Sequence, residues 1–182
     1  VNRSGTGYTL TAKATGLADA TSGSFDVAAG PVTQLMFTAQ PVTTTAGATL
    51  PPVQVAAQDS LGNLVPGFTD AVTLSIGTNP GGGTLTGTAT VTAVGGVATF
   101  SSLSIDKSGT GYRLAATSGS LTRTSGAFSI TAGAATQLGF TVQPVIDTAG
   151  VVIAPAVQVT GLDAFGNIAT GFTDAVTIAI GS

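Results

Sequence analysis

A chain of 182 residues, 43% of them hydrophobic, is long enough for one large core or two small ones, yet only 7% of it is charged and its net charge is -3. Five scattered bases, Arg3, Lys13, Lys107, Arg113 and Arg123, form no footprint for nucleic acid or an anionic membrane surface. His, Cys, Trp and Glu are absent, which removes Ser–His and Cys–His catalysis, imidazole ligands and disulfides together, so the sequence reads as that of a non-enzyme.

The first element is a Gly-rich turn running into a strand, SGTGYTL, Ser4 to Leu10. From Gln34 onward, short alternating runs between turn residues predict strands at Gln34–Ala39, Val53–Gln58, Ala71–Ile76, Thr84–Leu85, Thr88–Ala93, Ala98–Leu103, Tyr112–Ala116 and Ser120–Ile130. The last carries a break at Ser125-Gly126. In AVTLSIG, Val72, Leu74 and Ile76 point one way, and Thr73 and Ser75 the other. Turn signals separate the runs at Leu61-Gly62-Asn63, Asn79-Pro80-Gly81-Gly82-Gly83, Gly95-Gly96 and Ser108-Gly109-Thr110-Gly111. The Asn79–Gly83 run lacks the Gly-Lys-Ser/Thr ending of a phosphate loop and reads as a flexible connection. No stretch approaches the roughly 18 apolar residues of a spanning helix, and 5% aromatics supply no girdles for a membrane barrel. Membrane insertion is not expected. Val1-Asn2-Arg3 leads straight into the first turn, so an exported form is read as mature or as a segment.

Beyond Ile130 the chain restates itself. TQLMFTAQPVTTTAG, Thr33 to Gly47, returns as TQLGFTVQPVIDTAG, Thr136 to Gly150. VQVAAQDSLGNLVPGFTDAVTLSIG, Val53 to Gly77, returns as VQVTGLDAFGNIATGFTDAVTIAIG, Val157 to Gly181, and SGTGYTL returns as SGTGYRL, Ser108 to Leu114. The period, about 104 residues, suits a whole small domain. Residues 31–130 are read as one complete repeat, 1–30 as the C-terminal part of another, and 131–182 as the N-terminal half of a third. The fold class expected is all-β: immunoglobulin-like β-sandwich repeats in tandem. Tyr8 and Tyr112 each open a strand in a Tyr-x-Leu pattern after a Gly-rich turn, as the tyrosine corner of such sandwiches does, with Leu10 and Leu114 at the inward position.

D-x-x-G-N (Asp59 to Asn63), G-G-G-T-L-x-G (Gly81 to Gly87), G-V-A-T-F (Gly96 to Phe100) and the G-x-Y-x-L strand together resemble the bacterial immunoglobulin-like repeats of the invasin and intimin type, the Big repeats. That resemblance implies domains strung in tandem as stalks of surface adhesins, large exported proteins and fibres. It also implies an extracellular or cell-surface location and binding activity in a terminal domain of another type.

Two site readings remain beside it. Asp59, Asn63 and Asp70, and their copies Asp163, Asn167 and Asp174, supply oxygen atoms of the kind calcium takes. The same D-x-x-G-N is also a good β-turn, with Asp capping backbone N–H groups. Phe68 and Phe172, in the two GFTDAV copies, are the exposed aromatics available to an adhesive module binding glycan or host protein, unless they cover the end of a sandwich. The leading expectation is a non-catalytic structural repeat, forming a stalk or filament body. Its partners would be neighbouring immunoglobulin-like repeats, with identical chains meeting head to tail in the filament case.

Overall fold

A computed structural model describes residues 1–181. The described chain is all-β. None of it is a helix long and apolar enough to cross a membrane. The first segment contributes β1 (Gly5–Tyr8), β2 (Thr11–Ala12), β3 (Ala20–Thr21) and β4 (Phe25–Val27). The central one contributes β5 (Gln34–Ala39), β6 (Thr44–Thr45), β7 (Val53–Gln58), β8 (Ala71–Thr78), β9 (Leu85–Thr86), β10 (Thr90–Thr92), β11 (Val97–Phe100), β12 (Ser104–Ile105), β13 (Gly109–Ser118), β14 (Leu121–Thr124) and β15 (Phe128–Thr131). The last contributes β16 (Gln137–Val142) and β17 (Gln158–Leu162).

The central strands make an immunoglobulin-like sandwich. One sheet runs β10-β8-β13-β15-β6, with β14 also on β13; the other runs β11-β7-β5. Alternation explains the layers. Leu35 and Phe37 of β5, Val53 and Val55 of β7, and Ala98 and Phe100 of β11 face Val72 and Leu74 of β8, Tyr112, Leu114 and Ala116 of β13, and Phe128 and Ile130 of β15 in one buried cluster. Their neighbours Thr73, Ser75, Thr90 and Thr117 face outward. Burying each large apolar side chain is worth about 1.5–3 kcal/mol, and with no disulfide this core carries the fold.

One edge of the sandwich is closed by a strand that changes sheets. β5 pairs antiparallel with β7; then Pro41, with no N–H to give, ends the ladder, and β6 pairs parallel with β15. Two residues, Thr44 and Thr45, carry no periodicity, so β6 is not legible in the sequence. Three other expectations change. β13 begins at Gly109, so the SGTG phrase is not a free turn: Gly109 and Thr110 pair with Ile130 and Ser129, and Gly111, at φ 91°, makes the bulge before Tyr112. The run expected at Ala98–Leu103 ends at Phe100, and the chain pairs again only as β12 against β9. The Asn79–Gly83 loop is cross-braced: the Asn79 side chain bonds both the N–H and the carbonyl of Gly83, each at 2.8 Å. The break at Ser125-Gly126 stands as read, because the Ser125 hydroxyl accepts Leu114 N–H at 2.9 Å and donates to the Gly126 carbonyl.

The flanking segments are thinner. β1 pairs with β4, β2 with β3, and β16 with β17, each as a two-stranded sheet. Leu10 is 61% exposed, whereas Leu114, its copy in the sandwich, is fully buried. Ala175–Gly181, the copy of β8, forms no strand.

Candidate functional site

Both tyrosine hydroxyls bond back to the loop that precedes them. Tyr112 donates to the Lys107 carbonyl at 2.8 Å and Tyr8 to the Arg3 carbonyl at 3.0 Å, both five residues upstream. Each ring packs on the phenylalanine of the returning strand: Tyr112 on Phe128 and Tyr8 on Phe25, with centroids 6.0 Å apart in both pairs. Burial pushes the Tyr112 phenol above its ordinary value. The corner fixes the carbonyl and N–H groups of the loop just before it, Asn2–Ser4 in one copy and Asp106–Ser108 in the other.

That loop is one half of a joint. The other half is D-x-x-G-N. Asp59 Oδ1 accepts the N–H of Leu61 at 2.9 Å and of Asn63 at 2.8 Å, which closes the turn; Gly62, at φ 81°, completes it. Asp59 Oδ2 accepts the Asn63 side-chain amide at 2.9 Å and the N–H of Gly30 at 2.9 Å, in the connection between segments. Asn63 then reaches outward: its amide donates to the Asn2 carbonyl at 3.1 Å and its Oδ1 accepts Ser4 N–H at 3.0 Å. One carboxylate and one carboxamide thus hold the turn, the connection and the preceding corner together.

The second copy repeats this bond for bond. Asp163 accepts from Phe165 and Asn167 N–H, from the Asn167 amide and from Gly133 N–H, all at 2.9 Å. Asn167 donates to the Asp106 carbonyl and accepts Ser108 N–H, both at 2.9 Å. Gln34 and Gln137 close the back of each turn by donating to the Asp59 and Asp163 carbonyls. Asp59 is 3% exposed, Asp163 2% and Asn167 6%, so the groups are satisfied by protein rather than water.

The electrostatics follow. The Asn63 amide first, then the surrounding N–H groups, hold the Asp59 carboxyl at about 2 against an ordinary 3.8, with burial pulling the other way. At Asp163 burial pushes up most strongly, but the Asn167 amide and three N–H groups together outweigh it, and its pKa is also about 2.

Of the calcium candidates, the structure brings Asp59 to Asn63 and Asp163 to Asn167, and engages their oxygens with N–H donors. A cation would have to displace those donors. Asp70 and Asp174 lie exposed on the surface, and no three acidic side chains gather among the described residues. Phe68 is not an exposed aromatic: it is 8% exposed and belongs to the core, covering the end of the sandwich. Phe172 lies half-buried over Gly161. Sequence reasoning placed Asp59 and Asn63 as turn residues and missed their reach to Asn2, Ser4 and Gly30. The available signal was the recurrence of glycine at 30 and 133, serine at 4 and 108, and glutamine at 34 and 137 in both copies.

No family model matches the chain. No curated protein matches it either. Among solved structures it is similar to the Escherichia coli adhesin FdeC, at 20% identity and a TM-score of 0.46, over 81% of this chain and 47% of that one. It is similar to surface layer protein SbsC, domains 1-6, at 18% identity and a TM-score of 0.40, over 84% of this chain and 19% of that one. For SbsC domains 5-6 the identity is 17% and the TM-score 0.37, over 76% of this chain and 65% of that one. The chain spans less than two thirds of each of these structures.

Proposed function

We propose that this chain is a non-catalytic structural repeat of an extracellular or cell-surface bacterial protein, forming the body of a stalk or filament. The observation that carries the reading is the joint made twice, by the same Asp–Asn pair through the same atoms and at nearly the same distances. A flexible linker would leave successive domains free to reorient, since small interdomain contacts do not hold them. Here each segment is bonded to the corner of the one before it through the carboxamide of Asn63 or Asn167, and the charge-assisted bonds of Asp59 or Asp163 hold that carboxamide and the connection in place. Length then comes from repetition and stiffness from the joint, which is what a stalk requires. The same contacts suit neighbouring immunoglobulin-like repeats as partners, within one chain or between chains set head to tail.

The test exploits the absence of cysteine. Spin labels on Ala14→Cys and Ser120→Cys, both exposed, report the distance across the first joint. A single narrow distance distribution is expected, and Asn63→Ala is expected to broaden it while the circular dichroism of the sandwich stays unchanged. A broad distribution in the chain with Asn63 intact would remove the stalk reading.

A further inference from the structure

At the second joint Phe165 does more than occupy the turn. Its ring lies on Gly47, between β6 and β7 of the sandwich before it: a Cβ on Gly47 would run into ring atoms Cε2 and Cζ. Gly47 also sits at φ 76°, where a side chain is strained. Lys107 Nζ pins the plug by donating to the Phe165 carbonyl at 2.5 Å. Glycine is thus a socket, and the apolar residue of the D-x-x-G-N turn is the plug.

The chain holds one more of each. Leu61, the copy of Phe165, is 65% exposed against 43% for Phe165. It borders an open crevice of about 520 Å³ shared with Asn2, Arg3, Ser4 and Asn63. Gly150, the copy of Gly47, keeps φ 86° and has nothing within 4 Å of its Cβ position.

We propose that Leu61 docks on the Thr-Ala-Gly turn of a further copy of this repeat, and that the Gly150 turn receives the apolar residue of a D-x-x-G-N loop from another. The inference rests on the stalk reading. The partner is set by the filled pair: an apolar side chain on one copy meets a glycine at positive φ on the next. Arg3, in the place of Lys107, borders the same crevice as Leu61.

The chain has no tryptophan, so a single introduced one reports its own surroundings. Phe165→Trp and Leu61→Trp are made in this chain and in one extended ahead of Val1 by a second copy of residues 31–104. That extension places a Thr-Ala-Gly turn ahead of the first segment. In both chains Phe165→Trp is expected to emit to the blue and resist acrylamide. Leu61→Trp is expected to be quenched freely in the short chain and to shift to the blue, with loss of quenching, in the extended one. Gly47→Ala in the added copy alone should restore the quenching. Leu61→Trp quenched equally in both chains, with Phe165→Trp shielded, overturns the inference and leaves the stalk reading standing. Phe165→Trp freely quenched in both chains overturns the inference at its premise, and the spin-label distribution across the first joint decides the stalk reading separately.

Discussion

Tyr8 and Tyr112 make the same hydrogen bond from the same motif, yet the residues two places on meet different fates. Leu114 is fully buried in the sandwich core, and Leu10 is 61% exposed. Leu114→Ala is expected to lose about 2–5 kcal/mol, the cost of a core cavity, while Leu10→Ala stays within about 0.5 kcal/mol; urea unfolding of each variant decides. The Tyr-x-Leu pattern was enough to place the corner, because its bond partner lies only five residues away. Burial of the leucine was not legible from that pattern, since a side chain is inward only if something lies opposite. Asn63 shows the same limit more sharply: it was legible as a turn residue, but its bond to Ser4 spans 59 positions.

Among elements, the Asn79–Gly83 loop shows why three glycines stand in a row. A Cβ on Gly81 would meet the Ser108 carbonyl and the Tyr112 hydroxyl, and one on Gly83 would meet Ile105 at 2.8 Å. The loop is packed onto the corner, so Gly81→Ala is expected to destabilise by about 1–3 kcal/mol through overpacking. Gly67, with open space around it and no positive φ, is the control. Gly67→Ala is expected to be neutral or to stabilise by about 0.4–1 kcal/mol, and thermal melts of the pair would separate packing from backbone entropy. β5 and β7 were legible to the residue because Leu35 and Phe37, and Val53 and Val55, each share a buried face between clear turn signals. β6 and β12, two residues each, take their strand character only from the partner they meet.

At the scale of the whole molecule, the joints link shape to acidity. Asp59 and Asp163 have carboxyl pKa values lowered from 3.8 to about 2 in the folded, joined state. A lowered value means the folded state, with the turn and its connection bonded, binds protons less readily than the unfolded one. Its contribution is therefore complete above the ordinary carboxyl range and is lost as pH falls through about 2. The distance distribution across the first joint is expected to hold from neutral pH down to the ordinary carboxyl range and to broaden as pH falls toward 2. A distribution unchanged through that range would mean that something other than the Asp59 carboxylate holds the first joint together.

What Asn63 and Asn167 grip in the segment before them is main chain only. The position they meet is asparagine in one copy and aspartate in the other, followed by arginine in one and lysine in the other, and the bonds are the same. A joint that reads backbone places little demand on the side chains of its neighbour. Substitutions at those two facing positions therefore leave the bonds intact, and the junction tolerates change in the very residues it faces.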